Sequence, residues 1–211
     1  MGLFDLFGSK KSLPERKAST PSTIKRSDKA IRASDKASED MQKADADYEN
    51  DGDLNKKISV YEKYLLKKPN WNSFNFSLAL ANMYVKAGRN DAAWGYLNQL
   101  YLWAIDPSAI GGDVSKIRYE QFRILKAEKK YKDAMVMLVT SYVLNAYAIR
   151  DTYFNKNKFK KDAKTTAKEV GITGTDLDAF ADMLERDIKA KRIKEAALQK
   201  YLEGCYKKLG V

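Results

Sequence analysis

The chain has 211 residues, 44% of them hydrophobic and 32% charged, with four prolines and a formal net charge of +11. It contains no histidine, which excludes Ser–His and Cys–His catalysis and imidazole metal sites. Cys205 is the only cysteine, so there is no intrachain disulfide, and a reducing, cytoplasmic setting is expected. With no activating base beside it, Cys205 is expected to be a small buried apolar residue. No stretch approaches the roughly 20 apolar residues of a membrane span.

The first segment, 1–36, is expected to be a flexible tail and linker. It opens with an apolar cluster, Leu3, Phe4, Leu6 and Phe7, followed by Lys10 and Lys11. On a short helix Leu3, Phe4 and Phe7 share a face that suits weak contact with an anionic membrane surface, and Lys10 and Lys11 would sit among the headgroups. The plainer expectation is a disordered tail whose apolar residues dock on the fold or on nothing. Residues 14–36 are rich in Ser, Thr, Lys and Ala and interrupted by Pro14 and Pro21, as linkers are.

From Ala37 the pattern becomes regular, and residues 37–150 form the predicted repeat region. Ala37–Asn50 places Met41, Ala44 and Tyr48 on one helical face, and Asn50-Asp-Gly-Asp53 is a turn. The next helix, Leu54–Lys68, aligns Leu54, Ile58, Tyr61 and Leu65 in one apolar stripe and stops at Pro69. A third runs from Phe74 to Ala87, ended by Gly88, and a fourth from Asp91 to Ala104. Asp113 is a predicted N-cap for a fifth helix reaching Lys129, and a sixth covers Lys132–Arg150. Residues 151–211 are expected to be C-terminal capping helices: Lys160–Val170, then Asp176–Lys189 opened by Thr175 and Asp178, then Ile193–Lys208.

A spacing recurs within this walk. Gly52 and Gly88 each lie between two short helices, 36 residues apart, and Lys129-Lys-Tyr-Lys-Asp-Ala-Met135 follows 41 residues later. Helix–turn–helix units of this period indicate an α-solenoid. The units resemble tetratricopeptide repeats over about residues 38–148. In the second, Leu80, Ala81, Tyr84, Gly88, Ala93 and Leu97 occupy that family's packing and turn positions. The first keeps Tyr48, Gly52, Tyr61 and Pro69 but has Asp45, Lys57 and Tyr64 where small residues are usual. The third keeps Leu125, Tyr131, Ala134 and Leu138, with Lys129 for the glycine and Phe122 for a small residue. Looser packing is therefore expected in the first and third units.

The resemblance implies an all-α fold of antiparallel helix pairs stacked as a short right-handed solenoid, with a non-repeat C-terminal segment. It also implies a groove lined by the first helix of each pair. Carried over, that groove shows Glu39, Gln42, Ala46, Glu49 and Asn50 from unit one. Unit two adds Asn75, Leu78, Asn82, Val85 and Lys86, and unit three Lys116, Tyr119, Arg123 and Lys126. Basic side chains there suit a carboxylate-bearing protein segment, because arginine grips carboxylates bidentately and asparagine holds peptide backbone. The lysine–asparagine pair with which some family members clamp chaperone tails is replaced by Gln42 and Ala46, so that ligand is not expected.

Three further patterns are weaker. Asp178, Asp182 and Glu185 share a helix face and are expected to be ion-paired rather than catalytic or metal-binding. Gly171–Thr175 precedes a helix but lacks the length and lysine of a phosphate loop. Lys156, Lys158, Lys160, Lys161, Lys164 and Lys168, interleaved with Phe154 and Phe159, make nucleic acid or anionic membrane the alternative partner. The expectation is a non-enzymatic adaptor without cofactor or metal.

Overall fold

The computed structural model describes residues 28–66, 74–105, 113–148, 155–190 and 197–211. Among them are nine helices and no strand: α1 (Asp28–Asp51), α2 (Leu54–Leu65), α3 (Phe74–Lys86), α4 (Asn90–Ala104), α5 (Val114–Ala127), α6 (Tyr131–Ala148), α7 (Lys156–Glu169), α8 (Gly174–Lys189) and α9 (Leu198–Leu209). Each of α1 to α7 packs against the next in chain order, with further contacts between α3 and α5, α6 and α8, and α6 and α9. The fold is all-α, built of antiparallel helix pairs stacked in solenoid fashion. The tail residues Leu3, Phe4, Phe7, Lys10 and Lys11 lie outside the described residues.

One turn geometry generates the pairs. Gly88 takes φ +72°, its N–H donating to Val85 O at 3.0 Å and the Arg89 N–H to Tyr84 O at 2.8 Å. This is a Schellman closure, which needs a left-handed residue. Lys129 repeats it at φ +59°, with Lys129 N–H to Lys126 O and Lys130 N–H to Leu125 O. Gly171 repeats it again at φ +80°, with bonds to Lys168 O and from Ile172 N–H to Ala167 O. Gly52, at φ +70°, uses the simpler form, a single bond to Tyr48 O. Helix pairing therefore continues past residue 148: α7 and α8 form a fourth pair, its turn 42 residues after Lys129, within the segment expected to be capping helices.

Helix starts follow their caps. The carboxylate of Asp53 accepts from Lys56 N–H and that of Asp113 from Lys116 N–H, the latter as expected. For α8 the cap is Thr173 with Asp176, two residues before the predicted Thr175 and Asp178. The first helix starts at Asp28, nine residues before the predicted boundary, in an Ala-, Lys- and Asp-rich run without proline or glycine.

The apolar side chains form two clusters. One joins α1 to α4 through Met41, Ile58, Tyr61, Leu80, Ala93, Leu97 and Leu100. The other joins α6 to α9 through Ala134, Leu138, Phe159, Phe180, Leu184 and Leu202. Helix α5 supplies both, giving Ile117 and Ile124 to the first and Phe122 and Leu125 to the second. The looser packing expected of unit three is not found: Phe122, Leu125, Ala134 and Leu138 are all buried, and the Phe122 ring packs against Tyr119 at 5.7 Å. In unit one the anomalous residues bond instead. Lys57 pairs with Asp45 at 2.9 Å, and the Tyr64 hydroxyl donates to the Asp40 carboxylate. Helix α9 packs across α6, where the Tyr206 and Thr140 hydroxyls meet at 2.6 Å in the interior.

Candidate functional site

The first helices of the four pairs keep a common register relative to their turns. Four, eight and eleven residues before the turn residue, α1, α3 and α5 carry buried or nearly buried side chains: Tyr48, Ala44 and Met41; Tyr84, Leu80 and Ser77; Leu125, Gln121 and Arg118. Six and thirteen residues before it, the same helices point toward solvent with Ala46 and Glu39, Asn82 and Asn75, and Arg123 and Lys116. In α7 those outward positions hold Thr165 and Lys158, both exposed. This is the 3.6-residue periodicity of a one-sided helix repeated from pair to pair.

The outward face closes into a cleft of about 400 Å³ between α1, α2, α3 and α5. Asp45, Lys57, Asn82, Lys86 and Arg123 supply its polar groups, and Ala79, Met83 and Val85 its apolar floor. Arg123 Nη1 donates to Asn82 Oδ1 at 2.8 Å, joining equivalent positions of adjacent units, and to Glu120 Oε2 at 2.8 Å. Asn82 Nδ2 donates in turn to Leu78 O at 3.2 Å. Both residues are thus held in place rather than freely rotating. Lys86 is exposed at the rim.

The other expected groove residues are less concentrated. Asn75 is exposed at the opposite end of α3. Lys116 is exposed and lies 3.6 Å from Asp113. The Lys126 ammonium sits 5.7 Å from the Phe122 ring centroid. Tyr119 belongs to a separate polar knot: its hydroxyl and that of Tyr142 donate to the same Asp162 oxygen, at 2.9 and 2.8 Å. Burial, reinforced by that carboxylate, pushes the Tyr119 phenol up to about 12 and raises Tyr142 as well. The Lys158 ammonium lies 5.1 and 5.8 Å from the two ring centroids. This knot ties α5 and α6 to α7.

Three residues matter here that the groove expectation omits. Glu120 stands on the basic face and partly offsets Arg123. Asp162 fixes Tyr119. Arg118 is buried behind the groove, 3% exposed, with its guanidinium 3.9 Å from the Tyr101 ring centroid. It donates to Gln121 Oε1 at 2.7 Å, and Gln121 Nε2 donates to Asn98 Oδ1 at 2.8 Å. Desolvation lowers its pKa. A three- and seven-residue spacing from Arg118 to Gln121 and Leu125 was the available signal of its inward face.

No protein-family model, curated protein or solved structure matches the chain.

The weaker patterns resolve into structural roles. Asp178 pairs with Lys160 at 2.5 Å, and Asp182 and Glu185 with Lys156 at 2.7 and 3.5 Å. These bonds tie α8 to α7; Lys156 holds the Asp182 carboxyl below the usual carboxylate range, and Lys189, then Lys156, does so for Glu185. They also occupy two of the lysines in the basic run. Phe159 is a core residue packed on Tyr142 and Phe180, not a stacking platform. Phe154 lies outside the described residues. The Gly171–Thr175 turn presents its helix start to Thr173 and Asp176, an arrangement that places an acid where an anion would sit. Cys205 is buried, and desolvation pushes its thiol up to about 11, opposite to the shift that activates a nucleophile. No group of three or more metal-ligating His, Cys, Asp or Glu side chains occurs among the described residues, and none of their helices is long and apolar enough to cross a membrane.

Proposed function

We propose that the chain is a protein-interaction module of tetratricopeptide-like build, which holds an acidic segment or partner helix against the outward face of its first helices. The observation that carries this reading is the cleft in which Asn82, Lys86 and Arg123 converge over an apolar floor. An apolar bed with a few oriented polar groups suits an amphipathic segment, the carboxylates meeting Arg123 and Lys86 while its apolar side chains lie on Ala79, Met83 and Val85. No metal, cofactor or catalytic group is needed for this role.

A second reading, binding of nucleic acid or an anionic surface, is favoured by one observation. Lys161, Lys164 and Lys168 are exposed along α7 and make no ion pair among the described residues.

The test is fluorescence anisotropy with labelled amphipathic peptides carrying Glu at helical spacing, against wild type and the Arg123→Glu/Lys126→Glu double variant. Wild type is expected to bind, and the variant to lose at least tenfold in affinity. Equal affinity of the two proteins refutes the groove reading. Full displacement of the peptide by a single-stranded oligonucleotide at lower concentration favours the second reading.

A further inference from the structure

The four first helices differ steadily in charge. Helix α1 holds eight acids and four bases, α3 a single base, α5 four bases and one acid, and α7 six bases and two acids. The second helices of the outer pairs show the opposite trend, α2 having three bases and one acid and α8 five acids and two bases. The gradient is therefore not a property of the chain's average charge. Part of it is neutralised in the seams, where Asp40, Asp45, Asp47 and Asp51 pair with α2 and Lys156 and Lys160 with α8, so the outward residues alone decide the charge of the face.

The shared register shows which charges reach the face. Three and thirteen residues before the turn, α1 presents Glu49 and Glu39, both exposed and without an ion pair among the described residues. The same positions are Lys126 and Lys116 in α5 and Lys168 and Lys158 in α7, and ten residues before the turn α7 presents exposed Lys161. Arg123 to Asn82 links α5 to α3 on this side and Tyr119 to Asp162 links α5 to α7, while Asp45 of α1 lines the same cleft as Asn82 of α3. The face thus runs from Glu39 and Glu49 at α1, with exposed Lys43 at the register of Glu120, past Asn75, Leu78, Asn82, Val85 and the rim lysine Lys86 of α3, to ammonium groups at α7.

Resting on the groove reading above, we infer that the partner segment is bipolar and binds in one direction. Its acidic half lies over α5 and α7, and its basic half over α1. The fourth helix pair is part of the binding face rather than only an end cap. Three interaxial steps of about 10 Å make the face about 30 Å long, which a helix of about 20 residues spans. A uniformly acidic segment would meet Glu39 and Glu49 at one end and be repelled there, so the acid end discriminates against wrong partners and wrong orientation. The chain's own first 27 residues are a poor occupant, since they carry six bases and two acids and would be repelled from α5 and α7.

The experiment compares two 20-residue amphipathic probes of equal apolar content: one with Glu along its length, one with Glu in one half and Lys in the other. Both are titrated by anisotropy against wild type, Lys161→Glu/Lys168→Glu and Glu39→Lys/Glu49→Lys, with circular dichroism to verify folding. Every substituted side chain is exposed. Wild type is expected to bind the bipolar probe at least fivefold more tightly than the all-acidic one. The α7 variant should lose at least tenfold for both, and the α1 variant should invert the preference. If all-acidic probes bind wild type and depend on Arg123, but the α1 and α7 variants bind unchanged, the polarity is refuted while the groove survives. If neither probe binds any form, both fail. If an oligonucleotide binds and responds to the α7 variant while the peptides do not, the lysines serve a polyanion and the inference is overturned.

Discussion

The outer and inner helix pairs are held together by different physics. Between α1 and α2, Lys56, Lys57 and Lys63 reach Asp47, Asp51, Asp45 and Asp40, and between α7 and α8, Lys156 and Lys160 reach Asp182, Glu185 and Asp178. Between α3 and α4, and between α5 and α6, no ion pair joins the two helices among the described residues. There the contact is mainly apolar: Leu80, Ala81, Ala93, Leu97 and Leu100 belong to one cluster, and Phe122, Leu125, Ala134 and Leu138 to the other. An inner pair has neighbours on both sides and can bury most of its surface. An outer pair has fewer neighbours, so more of its inter-helix seam stays wet, where charge pairing costs little desolvation and aggregation through an apolar edge is avoided. Exposed pairs contribute modestly to stability but select which helix faces which. The difference shows that one topology can be closed by burial at its centre and by charge at its ends.

The comparison predicts effects in a definite order. Leu97 is fully buried between the inner helices, so Leu97→Ala should cost about 2–5 kcal/mol. Urea unfolding followed by tryptophan fluorescence reports it, because Trp94 and Trp103 lie in this pair. A loss below 1 kcal/mol would mean the inner pair is not the stabilising element.

Smaller effects come from the turns, where the same geometry carries different residues. Gly88→Ala meets no atom within 4 Å, so its cost is backbone conformation alone, about 1 kcal/mol of destabilisation. Lys129→Gly removes the same penalty and should stabilise by up to about 1 kcal/mol. Thermal denaturation of both variants gives the two signs; equal signs would refute the shared left-handed turn.

The smallest effect is on pH dependence, and it separates inner from outer pairs. Asp51 is held low chiefly by the Asp53 backbone N–H, then by Lys56, Asp182 by Lys156, and Glu185 by Lys189. A carboxyl with a depressed folded pKa contributes its stability above the unfolded value and loses it as pH falls through the folded one. Acidification below pH 4 should therefore loosen α1–α2 and α7–α8 first. Circular dichroism should decline before tryptophan fluorescence changes, and simultaneous loss of both signals would erase the distinction.

Much of the fold was readable because helix periodicity and turn residues are local. Ile58, Tyr61 and Leu65 are buried as their spacing requires, and Asp113 caps α5 as predicted. What escaped was non-local or nearly disguised. Lys129 adopts a glycine-like turn, at φ +59°, which its residue type does not announce. The Gly171 pair is disguised in the sequence because its packing residues, Phe159, Ala163 and Ala167, lie among lysines. Of the expected groove residues, Asn82, Lys86 and Arg123 come together in one cleft. Tyr119 is tied to Asp162, 43 residues away, which nothing in its own helix signals. Asp178 and Asp182 are ion-paired as expected, with partners on α7.

Helix α5 shows that the units of topology and the units of stability do not coincide. By connection it belongs to the third pair, yet Ile117 and Ile124 complete one apolar cluster while Phe122 and Leu125 complete the other. No cut between pairs yields two finished halves. A fragment ending before α5 would expose the floor that Ile117 and Ile124 cover, and one beginning at α5 would carry those two side chains into water. Shuffling or duplicating pairs within such a chain would therefore conserve the helix count and lose the fold, unless the new neighbour reproduced both faces of the helix it replaced.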